Sequence, residues 1–201
     1  MKQPPITFEK AKGHFCTVTQ HRMEVCRNCF RVGLYRQGLA HDLSKYSPTE
    51  FLVGARYYTG SESPNNGERR VLGYSGAWLH HKGRNRHHYE YWLDYPAVRG
   101  KNPCYVPVKM PGRYVVEMFC DRIAASKTYH GSAYQDSDPL TYYRKGQTAA
   151  FLHPDTAALL EKLLIMLAEK GEDQTFRYIR RRIHKKPFRG GMRPHGRQQT
   201  L

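Results

Sequence analysis

A stripe of apolar residues near the N-terminus constrains the fold more than any other feature of the chain. Within residues 8–37 these residues recur at spacings of three, four and seven, which places them on one face of an α-helix. Two histidines, His14 and His21, lie on the same stripe. We therefore predict a long helix that ends near Gly38 and packs against a helical core. The stripe consists of Val18, Val25, Cys29 and Val32.

Helix-start signals and proline or glycine breaks divide the rest of the chain into further helices. The segment from Ser47 to Glu50 has the form of a capping box, with a proline in the first turn. Residues 157–168 are the most hydrophobic stretch and should lie in the core. Because no internal repeat and no alternating strand pattern is present, we predict an all-α helical bundle. Further helices are predicted at 68–81, at 113–129 and from Pro139 and Pro154, with loops at 59–67 and 95–112.

Composition indicates one ordinary domain with a basic appendage. The chain has 201 residues, 39 % of them hydrophobic, and a formal net charge of +16 that favours anionic partners. Basic residues crowd into 177–197, so we divide the chain into a helical domain, 8–176, and a basic helix with a flexible tail, 177–201. The sequence has no apolar run of membrane-span length and no signal-peptide pattern, and its five cysteines are irregularly spaced. We therefore expect a cytoplasmic protein without a membrane partner.

The dipeptide His41-Asp42 offers a nitrogen and an oxygen ligand to one metal ion. It follows small apolar residues, and Lys45 stands three residues beyond Asp42. An aspartate and a lysine on a core-facing segment are costly to bury without partners. Imidazole and carboxylate together suit Mn, Fe, Co, Ni or Zn, and helical bundles draw such ligands from several inward-facing helices. The pair therefore predicts that other segments supply further ligands.

Histidines and a late aspartate are available for that purpose. Four of the 11 histidines lie within residues 80–88, around a turn predicted at 83–85. His14 and His21 are seven residues apart, hence about 10 Å along a helix, so one ion cannot readily take both, and His21 is the preferred ligand. Asp121 is disfavoured by helix propensity in mid-helix, which indicates either a specific role or plain exposure.

The order of these residues and three motifs around them resemble known families. His21, then His41-Asp42, then the histidines of the 80s, then Asp121 follow the order H…HD…H…H…D. This order resembles that of the HD-domain metal-dependent phosphohydrolase superfamily. A closer resemblance, over roughly residues 10–170, is to a little-studied bacterial and phage family that we place near it. The motifs that carry it are His-Asp-Leu-Ser-Lys-Tyr-Ser-Pro-Thr-Glu-Phe from His41, His81-x3-Asn85-x-His87-His88-x-Glu90, and Asp121-Arg-Ile-Ala-Ala-Ser-Lys127.

The resemblance implies a compact helical bundle that holds one or two divalent transition-metal ions. One ion would be held by His21, His41, Asp42 and Asp121, and a second by two histidines of the 80s, with Asp42 as the bridge. We choose His81 and His87, with His88 and His80 as rivals. Metal-activated hydroxide would attack the phosphorus of a nucleotide or another small phosphorylated molecule. Asp42 and Lys45 would take the catalytic roles, Lys45 by reaching the phosphate or orienting the ligands.

The residues around the ligands are assigned as substrate contacts or as supports. Positive charge interleaved with the histidines and near Asp121 would suit an anionic substrate. Polar side chains beside the ligands would orient them. Predicted substrate contacts are Arg84, Arg86, His88, Arg122 and Lys127, and predicted supporting residues are His14, His80, Asn85 and Glu90.

Two other functions remain open at this stage. HD-type sites that hold two irons also activate oxygen, and the same ligands serve both reactions. Alternatively, the chain is a non-enzymatic nucleic-acid-binding protein with a structural metal site, which the net charge and the 177–197 segment would favour. The pair Cys26 and Cys29 has zinc-like spacing, but no second pair follows, so core thiols are the better interpretation.

Overall fold

The computed structural model describes residues 3–98 and 104–185, and nearly all regular structure within them is helical, as the all-α prediction requires. The described part contains one minimal β-ladder that the sequence did not predict, in which Leu93–Asp94 (β1) pairs antiparallel with Val106–Pro107 (β2). Short 3-10 turns join several helices. The helices are Phe8–Arg31 (α1), Tyr35–Ala40 (α2), Pro48–Tyr57 (α3), Pro64–Leu72 (α4), Gly76–Arg84 (α5), Gly112–His130 (α6), Asp138–Lys145 (α7) and Pro154–Lys185 (α8).

Helix α1 buries the predicted stripe, but it ends earlier than the sequence suggested. Its buried face includes Val18, Val25 and Cys29. The helix stops because Gly33 adopts a left-handed conformation (φ 83°), which glycine accepts without steric penalty. The predicted stop at Gly38 is wrong, since this residue lies inside α2, where a Cβ would approach that of Cys29 to 2.9 Å. Gly38 therefore permits close packing of α2 on α1.

The region from α3 to α5 differs from the prediction in two ways. Helix α3 begins after Ser47 as expected, but no capping box forms, because the Glu50 carboxylate turns to the histidines of α5 instead. The helix predicted at 68–81 is two helices, separated at Gly73, whose left-handed backbone (φ 81°) caps α4. Helix α5 then continues past the predicted break to Arg84.

The core lies where α6 packs between α1 and α8. The predicted hydrophobic segment 157–168 lies in α8 and supplies fully buried leucines. Helix α8 continues beyond the division drawn at 176/177, with non-helical geometry only at Gly171, and Ile179 still belongs to the core cluster. Of the basic helix and tail predicted over 177–201, the part from residue 186 onward lies outside the described residues. The buried leucines are Leu160, Leu163, Leu164 and Leu167.

None of the helices in the described part of the chain has both the length and the apolar composition that crossing a membrane requires.

Candidate metal centre

The site is built around the junction between α2 and the 3-10 turn Leu43–Tyr46. His41 caps the end of α2, and Asp42 adopts a left-handed conformation (φ 52°) before the turn. A positive φ is uncommon outside glycine, although aspartate tolerates it better than most residues, and such geometry concentrates at functional sites. Both side chains are buried, with about 1 % of each residue exposed. The backbone at this point is therefore a strained corner between α2 and the 3-10 turn.

One group of ligand atoms joins α1, the α2 corner and α6. His21 Nε2 lies 3.0 Å from Asp121 Oδ1, and His41 Nε2 lies 3.7 Å from the same oxygen. Asp42 Oδ2 lies 3.5 Å from His41 Nε2 and thus borders this group. The helical spacing that places His21 on the inner face of α1 and Asp121 on α6 brings the two together, because these helices pack against each other. These are the four residues predicted to hold the first ion.

A second group lies on the other side of Asp42. Asp42 Oδ1 is 3.3 Å from Nε2 of His81, on α5, and 3.3 Å from Nε2 of His87, in the segment after α5. His88 also contributes a ligand atom to this group, in which all four atoms lie within 4.8 Å of one another. The two oxygens of Asp42 therefore have different neighbours: Oδ1 faces His81 and His87, and Oδ2 faces His41 and Lys45.

The unsatisfied polar atoms of the site fit metal ligation. Ligand bonds of about 2.0–2.2 Å imply that neighbouring ligand atoms lie about 3.0–3.5 Å apart, which matches the contacts around Asp42. Although carboxylates are this close, the imidazole nitrogens have no hydrogen-bond geometry to them, and buried polar atoms without partners are rare and require an explanation. A divalent cation bound between these atoms would supply that explanation. The unpartnered buried atoms are Nε2 of His21, His41, His81, His87 and His88, and Oδ1 of Asp42.

Two buried glutamates that the sequence analysis did not assign to the site hold the ligand rings in place. Glu117 Oε1 lies 3.1 Å from Nδ1 of His41 and 3.2 Å from Nδ1 of His87. Glu50 Oε2 lies 2.7 Å from Nδ1 of His81. With Nδ1 donating to a carboxylate, each ring presents Nε2 as an acceptor toward the site, which is the usual arrangement behind a metal-bound histidine.

The charges of the site are strongly coupled. Burial alone would raise the pKa of Asp42, but His41, His81 and Lys45 outweigh it and hold this pKa well below its usual range. Burial would lower the pKa of His87, yet its neighbours Asp42 and Glu117 raise it to about 10. Without a cation, the carboxylates are thus balanced by protonated imidazoles. A divalent ion would displace these protons and take over their charge.

His88 and His21 behave differently from the other rings. Burial, together with the charges of His87 and His81, holds the pKa of His88 well below its usual range. Burial also lowers the pKa of His21, despite the opposing effect of Asp121. Both rings are therefore neutral near pH 7, the form in which imidazole binds metal. His88, predicted as a substrate contact, lies instead among the candidate ligands.

A cavity of about 290 Å³ opens onto these ligands. Asp42, Asp121 and His81 contribute to its floor, and Lys45 also lines it. The Lys45 ammonium lies 2.9 Å from Asp42 Oδ2, and although burial lowers its pKa, Asp42 and Asp121 outweigh this and raise it. The site thus combines a ligand cluster with one protonated lysine.

Four of the predicted substrate contacts lie away from this cavity. Arg84 and Arg86 are exposed: the first hydrogen-bonds to the carbonyl of His80, and the second lies over Tyr91. Arg122 and Lys127 contact side chains of neighbouring helices. Arg122 lies over the Tyr143 ring, and Lys127 pairs with Glu24 and Glu172.

The predicted supporting residues differ in whether they contact the ligands. Asn85 donates to the carbonyl of His81 and to Ser44 Oγ, both at 2.9 Å, and so braces the end of α5. His80 turns from the ligands and contacts Glu50 with Nδ1 at 2.6 Å. Glu90 is half-buried, and its Oε2 lacks a partner. His14 lines the cavity beyond the ligand cluster.

Comparison with known proteins places the chain in a family whose activity is undefined. The model of a family of unknown function, DUF5662, matches residues 10–166, which include every member of the ligand cluster. No curated protein and no solved structure matches the chain. On the extent of the family match, the chain belongs to DUF5662.

Proposed function

We propose that the protein is an HD-type metal-dependent phosphohydrolase that acts on a small phosphorylated molecule. The observation that carries the proposal is the position of Asp42 in the lining of a cavity, with Oδ1 facing His81 and His87 and Oδ2 facing His41 and Lys45. Such a carboxylate is suited to bridge two divalent ions. The HD-like order of the ligands along the sequence agrees with this arrangement.

The residues of the chain would orient the reaction, while the ion supplies the activation. A bound divalent ion lowers the pKa of a water molecule and adds positive charge for phosphoryl oxygens. Glu117 and Glu50 fix the rings of His41, His87 and His81 from behind, so little reorganisation is needed when the site fills. The ligand geometry is thus largely set by the fold.

Lys45 is the residue best placed to contact the substrate directly. Its ammonium is protonated, lines the cavity and lies beside the bridging carboxylate. A phosphoryl oxygen near the ions would therefore meet a cation on the protein side as well. Such a contact would hold the phosphoryl group in position and stabilise the negative charge that develops on it.

The test is phosphate release from para-nitrophenyl phosphate by protein loaded in turn with Mn, Fe, Co, Ni and Zn. We expect activity with at least one metal, and its loss in Asp42→Asn and His41→Ala. Asp94→Asn is the matched control, since Asp94 is exposed in β1 and belongs to neither the candidate ligand groups nor the cavity lining. No phosphate release with any metal would contradict the proposal. Oxygen consumption by the iron-loaded protein in its place would support the di-iron oxygenase alternative.

A further inference from the structure

The charge of the cavity contrasts with the charge of the chain. The sequence carries a formal net charge of +16. The cavity, by contrast, is lined by four carboxylates and one lysine, and no arginine of residues 3–98 or 104–185 lines it. Within the described lining, the positive charge that would attract phosphate therefore comes from Lys45 and from any cations that the cluster would hold. The lining carboxylates are those of Asp42, Glu50, Glu62 and Asp121.

This distribution limits how many phosphate groups the cavity can accommodate. One phosphoryl group at the ligand cluster would be matched by Lys45 and the ions. A second phosphate would extend past the cluster, where the one further charged group among the described lining residues is the Glu62 carboxylate, which pairs with Arg70. Because like charges repel and Lys45 is the one cationic side chain among the lining residues that the structure describes, a polyphosphate would bind poorly.

The wall beyond the cluster carries neutral hydrogen-bonding groups instead. His14 lies two helical turns before His21 on α1, and it packs between the rings of Phe51 and Tyr58, with centroid distances of 5.4 and 6.1 Å. Thr17 Oγ1 and Tyr58 OH share a hydrogen bond of 3.0 Å on the same wall. Burial and nearby Lys45 lower the pKa of His14 to about 4, so its ring is uncharged near pH 7.

Helix α3 is shaped to hold this ring. A Cβ at Gly54 would lie 2.0 Å from His14 Nε2, so only glycine leaves room for the imidazole in its present position. The described residues offer His14 no hydrogen-bond partner, although only 8 % of this residue is exposed. A neutral polar ring held firmly at a cavity wall is suited to hydrogen-bond a ligand hydroxyl or amide.

We propose that the substrate is a phosphate monoester of a small uncharged polar alcohol, with its phosphoryl group toward Asp42 and Lys45 and its alcohol moiety toward His14 and Tyr58. This inference rests on the proposed phosphohydrolase function. In the reaction, a bond forms between a water oxygen and phosphorus, and the ester P–O bond breaks. A proton from the water passes to the departing alkoxide, so that the products are the alcohol and inorganic phosphate.

The experiment compares glycerol phosphate with pyrophosphate and tripolyphosphate on the Mn-loaded full chain, by phosphate release and by calorimetric binding. We expect glycerol phosphate to be preferred at least about tenfold in kcat/KM and in affinity. Glu62→Gln should reduce the preference for glycerol phosphate by improving the affinity for pyrophosphate. Equal or better use of either polyphosphate would overturn the inference while leaving the phosphohydrolase function intact.

Variants of His14 test the other end of the cavity. His14→Phe should raise KM for glycerol phosphate about tenfold with little change in inhibition by inorganic phosphate, and His14→Gln should restore part of the affinity. His130→Phe, at an exposed position at the end of α6, is the control. An unchanged KM in a folded His14→Phe protein would contradict the assignment. If no ester is hydrolysed, the proposed function fails, and calorimetry still decides whether the monoester binds better than pyrophosphate.

Discussion

Substitution of Glu117 by glutamine tests whether the ligand cluster is organised for a metal. The carboxylate accepts from Nδ1 of His41 and of His87 through a single oxygen, at 3.1 and 3.2 Å, and these rings border different ligand groups. The variant keeps the shape of the side chain but removes its charge. It should therefore weaken both positions at once, while the helix α6 that carries it remains folded.

The magnitude follows from the number of rings that lose their anionic partner. Removal of one outer partner of a metal-bound histidine lowers metal affinity about 10- to 100-fold, or about 1.4–2.7 kcal/mol. Since Glu117 serves two rings, we expect a loss near 100-fold. In addition, burial raises the pKa of Glu117 while His41 and His87 outweigh it and lower it, so the charge being removed is present at pH 7.

The assay is competition for Mn and Zn against a chelator of known affinity, with thermal unfolding followed by circular dichroism. Glu161→Gln is the matched control, because this glutamate is on the outer part of α8 and pairs only with Arg144 in the described structure. The control should bind metal as the unmodified protein does. An affinity within twofold of the unmodified protein for a folded Glu117→Gln variant would refute the reasoning.

Three further predictions follow from individual contacts. The pKa of His87 is raised from 6.5 to about 10, so the metal-free protein should lose stability as pH rises from 6.5 to 10. The metal-loaded protein should not lose stability over this range, since bound metal replaces the protons. A Tm of the metal-free protein that rises with pH would contradict this. Gly54→Ala should lower unfolding free energy by about 1–3 kcal/mol because its Cβ would strike His14, whereas Gly83→Ala, with open space around it, should not; equal denaturant midpoints would count against the packing argument. Lys45→Gln should lower kcat/KM for para-nitrophenyl phosphate about 10- to 100-fold while metal content stays unchanged, as measured by steady-state kinetics and elemental analysis. An unchanged kcat/KM together with a lower metal content would contradict this role of Lys45.

The helical framework could be predicted because its signals are local. The stripe of α1 and the leucines of α8 repeat with the helical period, and both segments are buried as expected. The breaks were harder to place. Gly33 and Gly73 end helices through a left-handed backbone, but Gly38 and Gly83 lie within helices, and composition does not distinguish these uses.

The site was only partly accessible from the sequence for a similar reason. The ligand set is recognisable from residue types in order, and the structure brings His21, His41, Asp42 and Asp121 together. Glu117 carries a weak signal, a glutamate one turn before Asp121 in an otherwise apolar stretch of α6. Its role depends on which rings from other segments meet it, and that is decided by helix packing.

The second glutamate and the arginines illustrate the limits of local patterns. Glu50 matched a capping box, but two buried histidine contacts stabilise its carboxylate in another position. Arg84 and Arg86 stand beside the ligands in sequence, yet both side chains remain in solvent. Exposure of a charged side chain avoids the desolvation penalty, so proximity along the chain does not place it in a cavity.

The most direct test of the central claim is elemental analysis of the full chain purified without chelators and then equilibrated with Mn, Fe, Co, Ni or Zn. The ligand group of His21, His41 and Asp121 and the group of Asp42, His81, His87 and His88 predict about two ions per chain, and clearly fewer in Asp42→Asn. The Asp94→Asn control should keep the full content. A folded protein that neither retains nor takes up any of these ions would contradict the account.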